Sequence, residues 1–194
     1  TLALRYRVFE LLYGGARGGG KTSAGIAWLL IDINNPKYRA LVIRKNADDL
    51  SDWIDRARQI YEPLGAEFTG KPAIIKWKNG AIIRTGHLKD ENAYTKYQGH
   101  EYHRILIEEL TQIPREEDYL KLISSCRSSD ANLTARVFAT TNPGGYGHSW
   151  VQERFVNECE PLKIFIDPTT KRTRVFVPAT VEDNPTLMRK ANVH

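Results

Sequence analysis

Along the chain, short apolar runs alternate with longer segments in which apolar positions recur every three or four residues. Phe9 to Tyr13 reads as a strand, and a glycine-rich turn leads from it into Ser23 to Ile31, an apolar helical segment. Asn34-Asn35-Pro36 ends that helix, and Arg39 to Arg44 reads as a buried strand between turn signals. Leu50, Ile54, Ala57 and Ile60 or Tyr61 fall on one face of a helix from Asp48 to Tyr61, which stops before Pro63. Ala73 to Lys78 and Ala81 to Arg84 flank Asn79-Gly80, the strongest short hairpin signal. Arg104 to Ile107 is a short buried strand, Arg115 to Cys126 a helix, and Ala135 to Ala139 a strand running into Thr140-Thr141-Asn142-Pro143-Gly144-Gly145. Trp150 to Val156 reads helical, and Ile164 to Ile166 with Thr173 to Val177 form a second hairpin around Asp167 to Thr170. Strands alternating with helices build βαβ units. The pattern predicts an α/β fold: a mainly parallel sheet flanked by helices, with inserted antiparallel hairpins. One domain over residues 1–178 accounts for it, and 179–194, with the turn Asp183-Asn184-Pro185, reads as the start of a linker.

Composition narrows the class. The 194 residues, 41% of them hydrophobic, suffice for one substantial core and not for two domains of usual size. A net charge of +5 permits a polyanionic partner without demanding one. Cys126 and Cys159 lie far apart with no metal-ligand spacing, which suits reduced thiols in an intracellular protein. No apolar run approaches the length of a membrane span, and the start at Thr1 suggests a piece of something longer.

The chemistry concentrates at strand ends. Gly15-Ala16-Arg17-Gly18-Gly19-Gly20-Lys21-Thr22 has the P-loop spacing: backbone N–H groups close around phosphate oxygens, Lys21 supplies a cation, and the Thr22 hydroxyl can ligate Mg²⁺. Glu108-Glu109 comes directly off the strand Ile105-Leu106-Ile107, which places both carboxylates at the ligand-binding edge of a parallel sheet. Hydrolysis of a bound triphosphate needs a metal-anchoring carboxylate and a group that deprotonates water, and we assign Glu108 to the first role and Glu109 to the second. Thr140-Thr141-Asn142 could reach the γ-phosphate if its strand lies beside the P-loop strand; the alternative is a turn built by Asn-Pro-Gly-Gly. Three arginines could add charge for the transition state, namely Arg17, Arg104 and Arg127. Tyr94, Tyr97, Tyr102, His100 and His103 read as packing rather than as a base-stacking surface. Lys163, Lys171, Arg172 and Arg174 on one hairpin, and Lys71, Lys76 and Lys78 on the other, either follow a phosphate backbone or guard sheet edges.

The ordered set Tyr13 to Thr22, Tyr97-Gln98-Gly99-His100-Glu101, Ile107 to Thr111 and Thr140 to Gly145 resembles the large terminase subunit of tailed bacteriophages. The resemblance spans most of the chain, including Leu64-Gly65-Ala66, Gly147-His148 with Trp150-Val151, and Pro178-Ala179-Thr180. It implies a P-loop NTPase fold of the additional-catalytic-glutamate class that uses ATP and Mg²⁺. It also implies a homo-oligomeric ring on the portal protein that drives double-stranded DNA into a procapsid, working with a small terminase subunit in the cytoplasm of the infected host. Thr141 and Asn142 would join Gly15 to Thr22 around the nucleotide, and no nuclease residues are implied here. Two positions depart from the family pattern: Glu108 stands where relatives usually carry Asp, and Gln98-Gly99 where some carry a trans-acting arginine. Arg127 is then the first choice for a trans finger and Arg17 for a cis sensor. The readings that compete are a helicase-like remodelling ATPase and a nucleotide-gated assembly switch.

Overall fold

A computed structural model describes residues 2–15, 20–88 and 93–179. Its elements are β1 (Glu10–Gly15), α1 (Lys21–Leu29), β2 (Arg39–Arg44), α2 (Ala47–Tyr61), β3 (Ala66–Thr69), β4 (Ile74–Trp77) and β5 (Ile82–His87). After them come β6 (Arg104–Ile107), α3 (Glu116–Ile123), β7 (Arg136–Thr141), α4 (His148–Val151), β8 (Phe165–Ile166) and β9 (Thr173–Ala179). Their strands form one nine-stranded sheet in the order β3-β4-β5-β2-β6-β7-β1-β9-β8. From β5 to β9 every neighbouring pair is parallel, and β3-β4-β5 at one edge and β8-β9 at the other are antiparallel.

The apolar runs are continuous because both faces of the central strands are covered. Alternate residues enter opposite cores: Leu11, Tyr13, Ala40, Val42, Leu106 and Phe138 meet α1 and α2 on one face. Leu12, Leu41, Ile43, Ile105, Ile107, Val137 and Ala139 meet α3 and the segment from α4 to Phe155 on the other. In α2 the buried residues Leu50, Trp53, Ala57 and Tyr61 follow helical spacing. Asp48 and Asp49 in its first turn and Arg58 in its last complement the helix dipole. Tyr61 then donates from its hydroxyl to the Ile26 carbonyl at 2.7 Å, which ties α2 to α1.

The sequence pattern misses β3, whose four residues Ala66 to Thr69 carry no apolar run, and whose pairing with β4 makes the first hairpin a three-stranded meander. That hairpin is not an appendage, since β5 continues to His87 and pairs in parallel with β2. The expected helix from Trp150 to Val156 begins at His148 and becomes a π-helical segment over Gln152–Asn157. At the other boundary β9 runs through Ala179, which the expected linker over 179–194 takes as its first residue; residues 180–194 lie outside the described residues.

At the amino-terminal ends of the strands, buried charges are paired with one another. Glu10 accepts hydrogen bonds from Tyr119 Oη at 2.6 Å and from Arg154 Nε and Nη2 at 3.1 and 2.9 Å. Arg174, 2% exposed, bonds Glu158, Asp167 and the Arg154 carbonyl. This corrects the reading of Arg174 as a phosphate-backbone contact, because its guanidinium is enclosed and committed. Its hairpin neighbour Arg172 lies over the Phe9 ring at 4.1 Å, and Lys163 pairs with Glu160. Tyr97, Tyr102 and His103 are buried, consistent with packing. Both cysteines are free thiols, and burial pushes the Cys126 thiol up to about 12. Among the described residues, no helix is long and apolar enough to cross a membrane.

Candidate functional site

Because the central strands are parallel, Gly15, Arg44, Ile107 and Thr141 end at one edge of the sheet. The chain leaving β1 must turn at once into α1, and two glycines permit it. Gly15 has φ 131°, and a Cβ there would lie 2.5 Å from the Ala179 carbonyl oxygen. Gly20 caps α1 in the left-handed region at φ 70°. No side chain caps α1 and no acidic residue stands in its first turn. Its leading N–H groups and the positive end of its dipole are therefore offered to an anion. Ala16, Arg17, Gly18 and Gly19 lie outside the described residues, so the cradle is defined here by Gly15, Gly20, Lys21 and Thr22.

Lys21 Nζ donates to the Gly15 carbonyl at 3.4 Å, folding the side chain back over the loop. Burial pushes its pKa down, while the charges of Glu109 and Glu108 pull it back up. Thr22 Oγ1 donates to Glu108 Oε2 at 3.3 Å, so the two residues assigned to a metal face each other across the gap between α1 and β6. Glu108 is 2% exposed, and burial pushes its pKa up against the opposing pull of Arg44. Its second oxygen, Oε1, is buried without a hydrogen-bond partner among the described residues.

Arg44, from the end of β2, is the residue that sequence reasoning missed. Its Nη2 donates to Glu108 Oε2 at 2.8 Å and its Nη1 to the Asp49 carbonyl at 2.9 Å. The signal was a basic residue closing a buried strand, but only the sheet order, with β2 beside β6, brings it to the carboxylate. A cavity of about 380 Å³ opens there, lined by Thr22, Arg44, Asp52, Trp53, Asp55 and Arg56.

Glu109 stands in the left-handed region at φ 59°, ψ 56°, an uncommon conformation for a residue with a Cβ. Its N–H donates to Thr140 Oγ1 at 3.1 Å. β7 does lie beside β1, with Thr141 opposite Gly14, and it separates β1 from β6. Thr141 Oγ1 donates to Thr111 Oγ1 at 3.2 Å and contacts the Asn142 carbonyl at 3.1 Å. Asn142 Oδ1 is buried with no partner among the described residues.

Two candidate arginines sit elsewhere. Arg104 begins β6, is buried, and bonds Asp32 Oδ2 through Nε and Nη2 at 3.0 and 2.6 Å, with its guanidinium 4.6 Å from the Trp28 ring centre. It is a structural ion pair at the opposite sheet end, not a charge for the reaction. Arg127 is exposed, and its N–H donates to the Tyr102 carbonyl, also ahead of β6. Within one chain it is remote from Glu108 and Glu109.

No curated protein matches the chain in sequence. Among solved structures it is similar to the large terminase of a thermophilic bacteriophage, with TM-score 0.70 and 14% identity, covering 95% of this chain and 45% of that one. A complex of a large terminase from a thermophilic bacteriophage with ADP gives TM-score 0.67 and 16% identity over 93% of this chain and 42% of that one. The large terminase ATPase domain of a Thermus phage gives TM-score 0.62 and 13% identity, covering 96% and 82%. The chain thus spans less than half the length of the full large terminases it matches. The shared fold is that of the P-loop NTPases, with the β7 strand between the cradle strand and the acidic strand. The family described as terminase large subunit, T4likevirus-type, N-terminal, matches residues 12–191, and the chain belongs to that family.

Proposed function

We propose that this domain hydrolyses Mg-ATP and that hydrolysis drives double-stranded viral DNA into a procapsid. The observation that carries the reading is the convergence of Thr22, Glu108 and Lys21 at the end of the sheet, with Glu109 beside them. The relative solved with ADP supports nucleotide as the ligand. The residues fit a Mg²⁺ ion: Glu108 Oε1 is buried and unpartnered, and the Thr22 hydroxyl lies beside the same carboxylate. Among the described residues no three His, Cys, Asp or Glu side chains converge. Mg²⁺ takes one or two carboxylates and completes its shell with phosphate oxygens and water, so Glu108 with the Thr22 hydroxyl can serve it.

In this reading, the N–H groups of the loop and of the start of α1 hold the β-phosphate, and Lys21 places its charge between β- and γ-phosphates. Thr22 and Glu108 would hold Mg²⁺, which supplies charge neutralisation on the phosphate oxygens as the γ-phosphoryl leaves. Glu109 orients the attacking water and accepts its proton. Arg17 serves as a cis sensor and Arg127 as a finger for the neighbouring protomer's site. That division fits the exposure of Arg127 away from its own chain's carboxylates. The partners in this reading are the portal protein, the procapsid and a small terminase subunit. The place of work in this reading is the host cytoplasm, and the assembled state is a ring, as suits a relative solved as the Phi-29 genome packaging motor assembly.

The test is Glu109→Gln, assayed for phosphate release and for binding of a fluorescent ATP analogue. Turnover should fall by a factor of about a hundred or more while binding persists, as expected for loss of a general base. Wild-type turnover in this variant refutes the assignment.

A further inference from the structure

The geometry points to Thr140 as the positioning residue for Glu109, and the inference rests on the reading of Glu109 as the base. A residue with a Cβ does not settle in the left-handed region unless its surroundings hold it there. At Glu109 two backbone hydrogen bonds do so: its N–H donates to Thr140 Oγ1 at 3.1 Å and its carbonyl accepts from the Gln112 N–H at 2.8 Å. The second is a local turn that travels with the segment. Only the first ties Glu109 to the sheet.

Thr140 is suited to that task. It is 3% exposed and sits in β7 opposite Tyr13 of β1, within a strand paired on both sides. Its backbone cannot drift, and a β-branched side chain has few χ1 choices. The hydroxyl therefore offers its lone pair in a fixed direction. That bond ties the hydroxyl oxygen to the Glu109 peptide and leaves only its own O–H to donate. Of the three strand-end residues, Asn142 is the one whose side-chain amide N–H groups can donate to a phosphate oxygen, and phosphate sensing falls to it. Thr140 instead sets the peptide orientation from which the Glu109 carboxylate reaches water.

Three variants separate this role from phosphate sensing. Thr140→Val keeps the shape, removes the acceptor and leaves a Glu109 N–H unpaired; kcat should fall about tenfold or more, the scale of a lost buried hydrogen bond. KM and the ratio of ATP-analogue to ADP affinity should stay at wild type. Thr140→Ser should recover kcat to within about threefold, because the acceptor returns. In nucleotide-free protein, the Glu109 amide should exchange faster with solvent in Thr140→Val and remain protected in Thr140→Ser. If the valine variant does not fold, Thr140→Ala carries the same measurements. Wild-type kcat in the valine variant overturns the proposal, as does a lowered ATP-analogue to ADP affinity ratio. Wild-type turnover by Glu109→Gln instead overturns the base assignment, and the amide-exchange result then still reports whether Thr140 holds the peptide.

Discussion

Replacing Arg44 with alanine should unmask the cost of keeping Glu108 inside the protein. The guanidinium lies 2.8 Å from Glu108 Oε2, with side-chain exposures of 15% for Arg44 and 1% for Glu108. At an effective dielectric near 20, two unit charges at that distance attract by about 6 kcal/mol, most of which offsets the desolvation of both groups. Removing one partner of a buried pair costs about 3–5 kcal/mol, and the partial exposure of Arg44 argues for the lower end, about 3 kcal/mol. For a chain of this size that is a fall in Tm of roughly 6–12 °C. The loss should depend on pH. Burial pushes the Glu108 pKa up and Arg44 opposes it, so the variant's carboxyl stays protonated to higher pH. A carboxyl whose native pKa is raised contributes stability below its unfolded pKa and loses it as pH climbs through the native one. The difference between wild type and variant should therefore be small at about pH 4 and larger at about pH 7.5. Calorimetry without nucleotide or Mg²⁺ at both pH values measures this, and a Glu108→Gln background should remove most of the effect. An equal loss at both pH values, or an undiminished loss in that background, would mean that Arg44 acts only through its bond to the Asp49 carbonyl.

Two further substitutions probe the frame behind the site. Tyr119→Phe removes the 2.6 Å hydrogen bond to Glu10 while both Arg154 contacts remain, so urea unfolding should show a loss of about 1–2 kcal/mol; no loss would mean that the arginine satisfies Glu10 alone. Leu106→Ala empties the seat of α1, where a Cβ on Gly25 would lie 2.9 Å from Leu106 Cδ1. It should cost about 3 kcal/mol in the same assay, and under about 1 kcal/mol would contradict close packing there.

The strands buried on both faces were legible because a continuous run such as Ala40 to Ile43 has no other stable use in a chain of this length. The P-loop and the acidic pair were legible because each follows such a run. What stayed hidden depends on neighbours in space. β3 is a strand because Phe68 and Ala66 pair with β4, not because of its own pattern. Arg44 and Arg104 both adjoin buried strands, and only the sheet order sends one to Glu108 and the other to Asp32. Glu109 in the left-handed region has no local signature, since glutamate does not favour it.

The strand between cradle and carboxylates acts as a gauge. With β7 interposed, the ends of β1 and β6 are held two ladder spacings apart, roughly 10 Å. That width is set by backbone hydrogen bonds and not by any side chain that touches the ligand. Substitutions within β7, at Phe138 or Ala139 in the two cores, can therefore tilt one jaw of the site against the other without altering a single group in it. The calibration of the reaction is written in the interior of a strand, where a search for polar residues would never look.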